Sequence, residues 1–425
     1  MSQANRVFVT GLGAISSCGM TTEATWTSVL AGDSGIAEIN ACDLSSWDYR
    51  LGGELKDYQP AKMLPDRKLM KVISRQDTMG ILAAVQAIED SQLIPYRNTL
   101  SDVDSFNDDT AVYVGSPGNK YCQQYDFLPL MAKTKSNLPA FAEHLFSEVH
   151  PMWLLRILPN NVLAYTGITY GFKGENHNIV NHAASGMQAI LEAYHAIRSG
   201  LASRAVVVAY DVGTEPQALF YYERLGVLSA RHLRPFDQSH DGTILAEGAA
   251  ALVLESEASA RARGRTPYAE ILGGRTETEG RGLFALDPEG APLASLLTRT
   301  LEELQLSPAD LGLIVAHGNG NPTSDVSEAR AITTTLGQHH VPVTAFKWAM
   351  GHTLCASGVL DAVLATEALR SKLIPGIANL SRTADACAAL DLSNATRRIT
   401  GGSHALLINR GFGGMNVSLV MKACD

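Results

Sequence analysis

The chain has 425 residues, 46% apolar and 18% charged, with 37 glycines, so it can bury a large core and lies far from the composition of disordered segments. At that length a single hydrophobic core rarely keeps growing, and two domains or two fused halves are expected. The 34 Lys and Arg against 43 Asp and Glu leave a net charge of -9 with no block of basic residues. That pattern excludes a nucleic-acid footprint and a polybasic membrane patch, and points to a small molecule or another protein as partner.

Six cysteines, at positions 18, 42, 122, 355, 387 and 424, form no CxxC pair and no metal-ligand spacing. They read as reduced thiols, and no metal site is expected. The opening MSQANRVFVTGLG lacks the charged and apolar regions of a secretory signal, and no later apolar run approaches the roughly 20 residues of a membrane helix. No membrane insertion is expected, and the cytosol is the expected location.

In chain order, β-branched and apolar runs predict strands from Arg6 to Thr10, Thr110 to Gly115, Ala205 to Tyr210, Ala249 to Glu255, Leu311 to His317, Ala405 to Asn409 and Asn416 to Met421. Helical periodicity occupies residues 64–92, 184–199 and 357–372. Strands alternating with helices predict an α/β protein with mainly parallel pairing. The stretch of about 116–160 is irregular and rich in aromatics (Tyr121, Tyr125, Phe127, Phe141, Phe146, Trp153), and its length suggests a cap or interface rather than a linker.

An internal repeat organises the chain. With residue 183 set opposite 355, AASGMQAILEAYHAIRSGL lies over CASGVLDAVLATEALRSKL. Ala184, Ser185, Gly186, Ala193, Ala196, Arg198, Ser199 and Leu201 then match Ala356, Ser357, Gly358, Ala365, Ala368, Arg370, Ser371 and Leu373 without a gap. Ala-Ser-Gly at a helix head also suits close helix packing by itself, but one unit used twice explains the whole register. The predicted division is an N-terminal half, residues 1–255, carrying the insertion at about 116–160, and a C-terminal half, residues 256–425.

Three polar residues stand where strands or turns end: His317 in AHGNGNP, Lys347 in FKWAMGH and His352 five residues later. In an α/β sheet such positions face a common crevice. Gly318, Gly320 and Gly351 beside them let a substrate approach the backbone, which packing alone does not require. The helix starting near Ala183 adds free N–H donors and a positive dipole end. A cysteine at 183 would be acidified there; alanine, flanked by His182 and Ala184, can neither ionise nor form a thioester.

Taken in order, RVFVTGLGAIS from Arg6, NHAASGMQAI from Asn181, RPFDQSHDGTILAEGAAALVLE from Arg234, AHGNGNPTSDVSEARAI from Ala316, KWAMGHTLCASG from Lys347 and NRGFGGMN from Asn409 resemble the elongating β-ketoacyl-acyl carrier protein synthases of the thiolase fold, over nearly the whole chain. The resemblance implies an α/β, thiolase-like αβαβα five-layer sandwich of two duplicated halves. It implies a homodimer, or a heterodimer with another ketosynthase. It also implies decarboxylative Claisen condensation of malonyl units with acyl chains tethered to the phosphopantetheine of an acyl carrier protein, with no separate cofactor. Ala183 falls at the position of the nucleophilic cysteine. His317 and His352 match the residues that help decarboxylate the malonyl thioester and hold the enolate oxygen, and Lys347 supports them electrostatically. Phe412 and Gly413, in GFGG, match a gating aromatic and its neighbour at the acyl pocket, with the Phe412 N–H available to an oxyanion hole beside that of residue 183.

The sequence departs from that pattern. Asn319 and Asn321 replace threonines that usually meet the carrier's pantetheine arm, Trp348-Ala349-Met350 replaces Ser-Met-Thr, and Arg410 takes the place of a common small residue. Three activities fit these departures: a condensing enzyme whose nucleophile has been exchanged, a non-condensing partner similar to a chain length factor, and a malonyl decarboxylase. A scaffold without substrate is a fourth reading and predicts a filled site. Condensation is not expected of the chain with alanine at 183. Gly11 and Gly13 lack the third glycine of a dinucleotide fingerprint. Cys355 reads as a buried, inert thiol, and Ser185 has no nucleophile elbow around it. Arg234, Asp237, Asp241 and Glu247 read as bracing for a loop under the site.

Overall fold

Runs that are apolar at every position need cover on both faces, and strands of this kind build the molecule. The computed structural model describes residues 5–118 and 127–424. Eleven strands form one sheet: β1 (Val7–Ile15), β2 (Thr110–Gly115), β3 (Asn176–Ile179), β4 (Arg204–Val212), β5 (Glu247–Ser256), β6 (Ala269–Thr278), β7 (Leu311–Val315), β8 (Pro342–Thr344), β9 (Asp391–Leu392), β10 (His404–Gly411) and β11 (Met415–Ala423). Their order is β9-β8-β7-β10-β11-β6-β1-β5-β4-β2-β3.

The duplication is visible in that order. In β1-β5-β4-β2-β3, strands β2, β3 and β4 are parallel, and β5 runs antiparallel to both β4 and β1. In β6-β11-β10-β7-β8, strands β7, β8 and β10 are parallel, and β11 runs antiparallel to both β10 and β6. Each set therefore uses its first, fifth, fourth, second and third strand in turn, with β9 added beyond β8. A short antiparallel ladder of Val7, Phe8 and Val9 with Ile271, Glu270 and Ala269 joins the two sets into one sheet.

Helices follow the same repeat: α1 (Arg75–Ser91), α2 (Asn161–Tyr170) and α3 (Ser185–Ser199) in the first set, α4 (Ala291–Glu303), α5 (Pro322–Leu336) and α6 (Ser357–Ser371) in the second. Helix α3 packs against β2 and β4 and also against β6 and β11, while α6 packs against β10 and β5, so the two form a central layer. With α1 and α2 outside the first set and α4 and α5 outside the second, the layers are αβαβα. Alternation sorts the side chains: Ala205, Val207 and Ala209 of β4 join Met187 and Ile190 of α3, whereas Val206, Val208 and Tyr210 join Met79 and Ile81 of α1.

The first predicted strand runs farther than expected, through Gly11 and Gly13 to Ile15. Those glycines serve packing: a β-carbon would stand 2.3 Å from Ala87 O at Gly11 and 2.2 Å from Ala83 O at Gly13, so α1 lies directly on the strand. The predicted helix over 64–92 begins only at Arg75, where Ser74 and Asp77 form a capping box. The described part of 116–160 is more regular than expected, with short helices Leu128–Lys133, Leu138–Glu148 and Trp153–Ile157, and with Leu138 and Phe146 exposed. Tyr121, Cys122 and Tyr125 lie outside the described residues. Strands β3, β6, β8 and β9 have no counterpart in the sequence reading; β3 is short and polar, β9 has only two residues, and β6 carries charges along a half-exposed end. Among the described residues, no helix is long and apolar enough to cross a membrane and no His, Cys, Asp and Glu group is placed to hold a metal.

Candidate active site

Parallel strands deliver their C-terminal ends to one side of a sheet, and the chemistry-bearing residues follow. His317 comes two residues after β7, Lys347 and His352 follow β8, Phe412 follows β10, and residues 182–184 lead into α3. A cavity of about 290 Å³ opens there, walled by His182, Tyr222, Thr243, His317, His352 and Phe412 among others, with Asn319 and Asn321 at its rim.

The rings of His317 and His352 meet edge to face with centroids 5.2 Å apart, and both residues are buried. His317 Nδ1 accepts the Arg410 N–H at 3.3 Å, and His352 Nδ1 accepts the Leu354 N–H at 3.2 Å. Both are therefore Nε2–H tautomers, assigned from the backbone donors that hold the other nitrogen. Burial first, and then the Lys347 charge, hold both imidazoles well below their ordinary value, so the neutral donor form is the resting one. Asn319 Oδ1 accepts the Asn321 N–H at 3.0 Å, which turns its Nδ2 to within 3.4 Å of His317 Nε2. Two donors thus converge without satisfying each other, an arrangement suited to a developing oxyanion.

Lys347 does not face the cavity. Its Nζ donates to Asp361 Oδ2 on α6 at 3.0 Å, with both side chains buried, so the cation acts on the histidines through space. Asp361 went unnoticed in the sequence, although one acid in the apolar run SGVLDAVLA is the signature of a buried pair. Two further acids, three residues apart on α5, also escaped. Glu328 accepts the N–H groups of His317 and Gly318 at 2.7 and 2.9 Å, and Asp325 accepts those of Gly320 and Phe236 at 3.2 and 2.8 Å. Together they fix the loop that carries His317; burial pushes the Glu328 carboxyl up to about 7.

Three expected placements need correction. Ala183 has no exposed surface and is not part of the cavity wall; the neighbouring His182 is. The Phe412 N–H, expected at an oxyanion hole, donates to His182 Nδ1 at 3.3 Å. Gly413, expected at the acyl pocket, lies off the wall, with its N–H on Leu283 O at 2.6 Å, because the turn at φ 85° directs that group away. Trp348 is core: its side chain is 1% exposed, and the carbonyls of Ala349 and Met350 accept from the Cys18 thiol and the Ser17 hydroxyl.

Remaining expectations fall as follows. Arg410 is buried and donates to Asn416, Ser324 and Glu279. Cys355 donates to His182 O and accompanies Asp211; burial first, then that carboxylate, push its thiol well up. The Ser185 hydroxyl accepts the Asn181 N–H and donates to His182 O, a helix-start role. Asp237 and Asp241 brace the loop around 229–240 through Ser239, Ser381 and Arg231, while Glu247 lies apart, paired with Arg75.

Comparison with known proteins gives a single family. Residues 4–260 match the model of the beta-ketoacyl synthase N-terminal domain and residues 268–381 that of the C-terminal domain. A 3-oxoacyl-(acyl-carrier-protein) synthase 2 from Synechocystis sp. is 30% identical over 98% of this chain and 98% of its own. One from Staphylococcus aureus is 30% identical over 99% of each. Among solved structures, a beta-ketoacyl synthase from Burkholderia phymatum superposes with TM-score 0.85 at 26% identity, covering 99% of this chain and all of its own. The ishigamide ketosynthase/chain length factor shares the fold at TM-score 0.88 and 24% identity, with the same coverage.

Proposed function

The chain belongs to the beta-ketoacyl synthase family, and from that premise we propose that it forms an enolate from a malonyl thioester carried on the phosphopantetheine of an acyl carrier protein, without itself capturing an acyl chain. The observation that carries this reading is the pair of neutral Nε2–H imidazoles at one cavity, behind which the nucleophile position is a buried alanine. When the carbon–carboxylate bond breaks, carbon dioxide leaves and the electron pair moves onto the thioester oxygen. Donors at His317, His352 and Asn319 stabilise that charge, each imidazole being worth about 3 kcal/mol, or roughly a hundredfold in rate. A proton then adds to the carbon and leaves an acetyl thioester. Condensation would also require a thiol at 183, which this chain lacks.

Malonyl carrier protein incubated with the chain is expected to yield acetyl carrier protein, read by intact-protein mass spectrometry. Absence of acetyl product above the uncatalysed rate would sink the proposal.

A second reading is a non-condensing partner paired with an active ketosynthase. It is favoured by the edge of β3, which among the described residues pairs on one side only, and by Val180 just beyond it and Ile168 on the adjoining α2, both more than half exposed. Co-expression with an active synthase and gel filtration separate a heterodimer from a homodimer. In either reading, residues 1–255 and 256–425 serve as the two halves, with β6 opening the second.

A further inference from the structure

A cysteine cut back to alanine would leave a hollow opening on the cavity, yet here the position is sealed. His182 sits at φ 50°, in the left-handed region that side chains larger than glycine or asparagine enter only when their surroundings hold them there. Its surroundings do so. Nδ1 accepts the Phe412 N–H at 3.3 Å, and Nε2, which therefore carries the proton, stands 2.5 Å from Tyr222 Oη. The ring lies nearly parallel to Phe412 at 4.3 Å, Tyr222 stacks on Phe412 at 5.5 Å, and Phe284 meets the edge of Phe412 at 5.0 Å. Behind the ring, Gly411 covers the start of α3: a β-carbon on it would stand 3.5 Å from Ala183 N and 3.3 Å from Ala184 N. On the far side the Cys355 thiol donates to His182 O at 3.1 Å.

We propose that His182 is a specificity-determining residue whose ring closes the corner between the start of α3 and the cavity, confining the site to a short acyl thioester of the malonyl class and excluding an extended acyl chain from position 183. The inference deepens the enolate-forming reading and rests on it for the identity of the substrate. The closure is read from the geometry: the Phe412 N–H is taken by His182 Nδ1, the His182 ring stacks on Phe412, and His182 rather than Ala183 lines the cavity. The absence of chain capture is thus secured twice, by the missing thiol and by the ring in front of it.

The test installs a reporter thiol at 183 in the full chain. Ala183→Cys alone and the double variant His182→Gly with Ala183→Cys are treated with iodoacetamide, and adducts are counted by intact-protein mass against the parent chain, whose own cysteines set the background. Glycine adopts φ 50° without strain, so the double variant is expected to fold. The single variant is expected to gain no adduct during the time in which the double variant gains one. Equal alkylation of the two would overturn the proposal. Should the glycine variant lose its cooperative melting transition, His182→Asn with Ala183→Cys replaces it, since asparagine tolerates the left-handed region and is smaller. One added adduct in that variant supports the closure, and none in a cooperatively melting protein overturns it. Because the readout is thiol access, failure of the decarboxylation assay leaves it unmoved, and the two ideas fail separately.

Discussion

Lys347 Nζ and Asp361 Oδ2 are 3.0 Å apart, joined between the turn after β8 and the second turn of α6, and neither side chain exposes more than 3% of its surface. Removing the carboxylate would strand an ammonium in the core. Asp361→Ala is therefore expected to lose about 3–5 kcal/mol of stability, whereas Lys347→Met combined with Asp361→Leu should lose far less. Urea midpoints at constant slope decide it; a single variant as stable as the parent would show that the pair is not buried as described.

His317→Ala and His352→Ala are each expected to slow malonyl decarboxylation roughly a hundredfold, with the double variant falling short of the product because the two donors serve one oxygen. The pH profile has a definite sign. Both imidazoles must be neutral to act, and burial and Lys347 hold both well below 6.5, so the rate should be flat above that pH and fall only in acid. Lys347→Met removes the largest charge effect after burial and should move the acid limb to higher pH. A limb that moves down or stays fixed would contradict through-space action of the lysine.

His182 gives an acid-stability prediction. Burial lowers its pKa from 6.5 to about 4, so over that interval the unfolded chain binds a proton that the folded chain does not. Its contribution is fully present above pH 6.5 and is lost as the pH falls through about 4. His182→Asn cannot titrate and should show a shallower loss of melting temperature between those two values. An unchanged slope would mean that the ring is already solvated.

Arg410 answers the Glu279 carboxylate at 2.9 Å, both side chains being almost wholly buried, and its own N–H holds His317 Nδ1. Arg410→Met should lose about 3–5 kcal/mol, somewhat reduced because Asn416 still donates to Glu279. Since the N–H is main chain, the His317 tautomer survives the substitution; a properly folded Arg410→Met with undiminished decarboxylation is the expected kinetic result.

Strand and helix periodicity, the 183/355 repeat and the strand-end positions of His317, Lys347 and His352 are written in local order, and local order is what sequence patterns report. The matching contacts of the repeat follow from it: a β-carbon on Gly186 would strike Cys355 O, and one on Gly358 would strike Met187, so the duplicated glycines are where α3 and α6 touch. Gly11 and Gly13 show the limit. They fall beyond the strand predicted to end at Thr10, because nothing in nine residues of strand announces that α1 lies on top of them.

By itself the sequence determined the family and the internal repeat, and it singled out Ala183, His317 and His352 as the positions on which the proposed chemistry rests. Only the tertiary structure decided that Asp361 answers Lys347, that Glu328 and Asp325 hold the His317 loop, and that His182, rather than Ala183, faces the cavity. Those partners lie on other elements, and which of two adjacent side chains reaches a cavity is fixed by the backbone dihedral at the junction. His182 at φ 50° shares that junction with its repeat counterpart Leu354 at φ 47°, and its ring meets Phe412 and Tyr222, 230 and 40 residues away along the chain, contacts that no spacing in the sequence records.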